Sequence, residues 1–145
     1  MKAYLRPSMW RFGLRMLRTW IAMPRRLERL PLGDLLADLD RPRRDRMSTI
    51  DAEDVRDTVH FLLYRLRVPV RNTCLVRCLT VYLCMRTVGL DAHIVFAVRP
   101  GQSIEDGHCW LEHQGQPFLE PDARRHGFTP IFRHPDPDHA APSNL

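Results

Sequence analysis

The chain has 145 residues, 44% of them hydrophobic and 27% charged, with a formal net charge of +5. It is long enough for one domain with a real core, no apolar run approaches the ~20 residues that span a bilayer, and Lys2, Arg6, Arg11, Arg15 and Arg18 interrupt every N-terminal apolar run without a small-residue cleavage site after them. A secreted or membrane-spanning protein is therefore not expected; a reducing cytoplasm with four thiols is, and the positive charge suits an acidic partner or surface.

From Ser8 to about Met23 the pattern is an amphipathic helix, with Trp10, Leu14, Leu17 and Ile21 on one face and Arg11, Arg15 and Arg18 on another. Pro24 is expected to end it. The preferred reading packs this helix on the core with a solvated basic face; the alternative lays it on an anionic membrane, and a mitochondrial presequence has a similar composition. Leu30 to Leu39 reads as a second short helix, and Arg41 to Arg46, with Pro42, as a charged connection. Ser48 or Thr49 is expected to cap a third helix with Asp51, Glu53 and Asp54 in its first turn and Val55, Val59, Leu62, Leu63 and Leu66 on its core face. His60 lies one position off that stripe and is read as structural.

After Pro69, Leu75, Leu79 and Leu83, and likewise Cys74, Cys78, Val81 and Met85, recur at helical spacing. Asn72 and Thr73 can cap this helix and Gly89 suits its C′ position, so it should be buried on most sides with Cys74 in the first turn. There the unpaired backbone N–H groups and the positive end of the helix dipole favour thiolate over thiol and can stabilise a developing oxyanion. The competing reading makes Cys74 a small core residue.

Beyond Gly89 the period changes. Ala92 to Val98 is rich in strand formers and closes on Pro100-Gly101; after a polar loop, His108–His113 and Gln116–Glu120 read as a β-hairpin about Gln114-Gly115, with Pro117 marking an edge strand. Past Pro121 proline, histidine and arginine dominate, no catalytic work is expected, and residues 135–145 have too little apolar surface to order themselves.

A helix-start cysteine followed by a strand histidine and then an acidic residue on the next strand gives a nucleophile, a base and an orienter in one order, the layout of a cysteine hydrolase. His108 is the preferred base because it opens a strand directly after a loop. His113 differs in parity and should face the other way, and His93 is a weaker candidate. A zinc site built from Cys74, Cys78, Cys84, His108 and Cys109 is disfavoured, since Cys84 leaves the Cys74 face and Cys109 points opposite His108; no metal or other cofactor is expected. A noncatalytic basic module that holds a membrane surface or an acidic partner is the rival from another class. Nothing carries a nucleic-acid fold signature.

The segments Cys74-Leu75-Val76-Arg77-Cys78-Leu79, Gly89-Leu90-Asp91-Ala92 and Gly107-His108-Cys109-Trp110-Leu111-Glu112 resemble the stand-alone B2 leader peptidases of lasso-peptide biosynthesis, within the transglutaminase-like superfamily. That family carries a C-L-x-R-S-L-like motif, a G-x-x-A turn and an H-A/C-W-V/L-E strand; here Cys78 replaces the usual serine. The resemblance implies an α+β fold: N-terminal helices over 1–47, then a transglutaminase/papain-like core over 48–134 with a central cysteine-bearing helix packed on a small antiparallel sheet, and a tail from 135 to 145. It implies a triad of Cys74, His108 and Glu120, with Asp122 as the fallback acid. It also implies a cysteine peptidase that removes the leader of a precursor peptide, served by a separate leader-recognition protein and a lasso cyclase. Acyl transfer to an amine is the alternative within the superfamily.

Overall fold

The computed structural model describes residues 6–41, 49–103, 106–123 and 127–136. Residues 42–48, which carry most of the expected charged connection together with Ser48, lie outside these, as do residues 137–145 of the expected tail. The chain divides into two compact units between Asp91 and Ala92.

The first unit is helical: α1 (Pro7–Arg29), α2 (Leu32–Leu39), α3 (Ala52–His60), a π-helical turn (Phe61–Arg65) and α4 (Cys74–Thr87). α1 packs against each of the other three helices. Its core face differs from the expected one. Met9, Phe12, Met16, Trp20 and Met23 are buried, whereas Trp10, Leu14 and Ile21 stand 63%, 50% and 58% exposed. Methionine and aromatic side chains fill the interior as well as leucine does, so two apolar stripes compete on one helix and tertiary packing selects between them. Nor does Pro24 end α1, which runs on to Arg29. Proline costs a helix one hydrogen bond and a ring clash, about 3 kcal/mol; burial of Met23 and the Arg26–Asp38 ion pair between α1 and α2 offset this.

The start of α3 also departs from expectation. Its cap is Asp51, whose side chain accepts from the Asp54 backbone N–H at 2.8 Å, and the Asp54 carboxylate reaches back to the Asp51 N–H in a capping box. Both oxygens of the same carboxylate accept from Arg6 Nη2, at 2.7 and 2.8 Å, tying the beginning of α1 to the beginning of α3. Past His60 the helix widens into the π-turn. That turn shifts the register of the stripe, so Leu62 stays buried while Leu63 is only partly covered and Leu66 is 53% exposed. Arg67 then adopts a left-handed φ of 48°.

α4 is buried along nearly its whole length, with Arg86 alone exposed after its first turn. It stops at a Schellman motif: Leu90 N–H donates to the Met85 carbonyl at 2.9 Å and Gly89 N–H to Arg86 at 3.1 Å. Gly89 sits at φ 80°, a conformation glycine adopts without a Cβ penalty.

The second unit is a four-stranded antiparallel sheet of β1 (His93–Val98), β2 (His108–His113), β3 (Gln116–Phe118) and β4 (Thr129–His134), in the order β3-β2-β1-β4. Gln114 and Gly115 both take positive φ, the two-residue turn that matches strand twist, and Pro117 lies on an edge strand as expected. β4 was not expected. Its two alternation-breaking features, Pro130 and a register shift opposite Phe96/Ala97, are tolerated because it is the other edge. One sheet face carries Val95, Ala97 and Trp110, packed with Ala123 and Phe128. On that face the Glu112 carboxylate, 1% exposed, accepts from Trp110 Nε1 at 3.3 Å and pairs with Arg133 of β4. A buried carboxylate needs such partners, so Arg133 joins the edge strand to β2 across β1.

Candidate active site

Cys74 is the first residue of α4 and is partly exposed. Thr73 caps the helix by accepting the Val76 N–H on Oγ1 at 3.3 Å, and no acidic residue occupies the first turn, so no side-chain carboxylate there opposes the positive end of the helix dipole at the thiol. The approach to the cap is fixed from α1: Trp20 Nε1 donates to the Arg71 carbonyl at 3.1 Å. Trp20 is thus buried for its ring and held by its polar edge.

The other cysteines differ in kind. Cys78, one turn on, and Cys109 are buried, and burial pushes the Cys84 thiol up to about 12, with the Arg15 charge acting weakly the other way. At neutral pH Cys84 therefore stays protonated and inert. Native protein treated with iodoacetamide at neutral pH is expected to carry one adduct, at Cys74, while denatured protein takes all four. Peptide mass mapping decides this, and comparable native labelling of Cys78 or Cys109 would contradict it.

In the sheet unit, His108 opens β2 and its Nε2 lies 2.8 Å from Glu120 Oε2. The carboxylate can only accept, so Nε2 carries the proton and donates it, leaving the Nδ1 lone pair as the base. The ring sits 5.2 Å from Phe128 and 6.2 Å from Trp110, and the Arg99 guanidinium lies over the nearer of the two, 4.6 Å from the Phe128 ring centre. Aromatic walls on a 23% exposed imidazole restrict its rotation.

Glu120 does not end β3. The strand stops at Phe118, and Leu119 takes a left-handed φ of 71° before the chain reaches the acid. A bulky residue there is strained by roughly 1–2 kcal/mol, and the resulting turn accompanies the placement of Glu120 against His108. Leucine gives no sequence sign of this conformation. Asp122 is exposed, and its side chain is not the one hydrogen-bonded to His108.

The other histidines weighed as candidates lie elsewhere. His113 is on the opposite face of β2, edge-on to Phe118; His93 Nδ1 faces the Pro135 carbonyl at 3.4 Å; and His60 is exposed beside Tyr64. Among the described residues no three of His, Cys, Asp and Glu are grouped to hold a metal ion. None of the described helices is long and apolar enough to cross a membrane.

A thiol in the first turn of a buried helix and a strand histidine already paired to a carboxylate are the parts from which cysteine-dependent enzymes of α+β architecture are built. The model of the Transglutaminase-like superfamily matches residues 17–133, and the chain belongs to that superfamily. Its members include cysteine peptidases and acyltransferases and are typically cysteine-dependent. No curated relative and no solved structure matches the chain.

Proposed function

We propose that the protein is a cysteine peptidase that removes the leader from a lasso-peptide precursor, with Cys74 as nucleophile, His108 as base and then acid, and Glu120 as orienter. The observation that carries this reading is the 2.8 Å contact between His108 Nε2 and Glu120 Oε2, which presets the tautomer a thiol-activating histidine needs. In the reaction the Cys74 sulfur attacks the scissile carbonyl while His108 Nδ1 takes the thiol proton. The tetrahedral intermediate collapses, the C–N bond breaks, and His108 returns that proton to the leaving amine. Water, deprotonated by the same nitrogen, then attacks the thioester and releases the leader carboxylate and the thiol. Backbone N–H groups of the first turn of α4 supply the oxyanion contacts.

The substrate class rests on the segments around Cys74, Gly89 and His108, which resemble the leader peptidases. In this reading recognition and cutting are divided: a separate protein grips the leader, and a cyclase joins the freed core N-terminus to an acidic side chain. Full precursor incubated with the protein, with and without a cognate recognition protein, is expected to be cut efficiently only with it. Mass spectrometry distinguishes a free leader carboxylate from leader joined to an added amine. Equal rates without the recognition protein would remove the division of labour, and a dominant amine adduct would make the enzyme an acyltransferase.

A further inference from the structure

Three features of the helical unit converge on one place that the proposed chemistry does not use. α1 and the π-turn enclose an apolar groove of about 140 Å³ lined by Trp10, Gly13, Leu14, Leu17, Phe61 and Leu66, with Thr58 at its floor. A void of this order holds one aromatic ring. Trp10, Leu14 and Leu66 are each at least half exposed, so the groove opens to solvent along an apolar rim.

Gly13 is the second feature. It lies within α1, where glycine destabilises a helix relative to alanine. A Cβ there would meet only Thr58 Cγ2, at an ordinary 3.8 Å. The fold's own packing therefore gives no reason for the glycine, whereas the groove does, because a bulky side chain at this position would occupy it. The π-turn, a costly interruption, likewise exposes Leu66 at the rim.

Charge is the third. Arg11, Arg18 and Arg25 follow one another at seven-residue intervals along the edge of the exposed stripe, and Arg65 and Arg67 flank Leu66. All five are exposed, and none has an ion-pair partner among the described residues.

We propose that this groove docks an acidic peptide segment of a partner protein, which inserts one bulky apolar side chain over Gly13 while its carboxylates meet the arginine rim. A lipid surface would also attract the arginines, yet a bilayer presents no single side chain to fill a concavity, and the concavity is what Gly13 preserves. The proposal does not depend on the peptidase reading, since docking is measured in the Cys74→Ala protein.

The probe is a short synthetic amphipathic peptide with leucine and tryptophan on one face and glutamate on the other, compared with the same peptide carrying lysine for glutamate and with phosphatidylcholine/phosphatidylglycerol vesicles. The acidic peptide should bind, weaken as salt rises, and bind at least ten-fold more tightly than its lysine counterpart. Gly13→Leu should reduce its affinity at least ten-fold, and Gly13→Ala, which the fold accommodates, should raise the melting temperature and weaken binding less. Absence of binding by the acidic peptide, equal binding of the two peptides, or affinity unchanged in both Gly13 variants would each overturn the proposal. Vesicle binding tighter than peptide binding and indifferent to Gly13 would make the face a membrane surface instead.

Discussion

Cys74→Ala is expected to lower precursor cleavage by roughly 10,000-fold or more, the scale on which loss of a nucleophile acts when base and nucleophile work as a unit. The fold should survive. Cys74 is partly exposed at the first position of α4, alanine is the best helix former, and the Thr73 cap does not involve the thiol. Circular dichroism and melting temperature should therefore match the parent while turnover vanishes. Cys78→Ser is the contrasting variant. It places a hydroxyl at a position only 2% exposed and so costs some stability, about 1–3 kcal/mol if no partner is found, but it should retain cleavage. A dead Cys78→Ser beside an active Cys74→Ala would transfer the nucleophile to the second thiol, one turn away from the helix start.

His108→Ala should be comparably damaging, because it removes the proton carrier of both half-reactions, a loss of roughly 100- to 10,000-fold. Glu120→Gln is the more discriminating change. The amide can still meet Nε2, but it no longer balances the imidazolium that forms when Nδ1 takes the thiol proton, and its NH2 can stabilise the wrong tautomer. A fall in kcat approaching that of His108→Ala is expected, with KM changed much less. Asp122→Asn, which leaves the 2.8 Å contact intact, should change turnover little. If Asp122→Asn were the more harmful of the two, the orienting carboxylate would lie beyond Pro121. Circular dichroism and melting temperature of the two variants separate either outcome from a loss of structure.

Much of this protein is decided within short windows of sequence. The cap at Thr73, the stop at Gly89, the hairpin at Gln114-Gly115, the edge position of Pro117 and the opposed faces of His108 and Cys109 each follow from contacts or parity spanning a few residues. Local dihedral preferences and the two-residue strand period suffice for them. What needed the tertiary structure are the choices between locally equivalent options. α1 offers two apolar stripes, and the packing of α2, α3 and α4 selects the methionine-rich one, freeing Trp10, Leu14 and Ile21. Pro24 is overridden by a buried side chain and an ion pair to α2, and the π-turn moves Leu66 out of the core. β4 is written in proline-bearing, half-exposed residues whose pairing with β1 only a distant partner can supply. The last case is Glu120. The resemblance named it, with Asp122 as the fallback, but its contact with His108, 12 residues away and past the left-handed Leu119, leaves no periodic trace because it is made across a turn outside the regular strand.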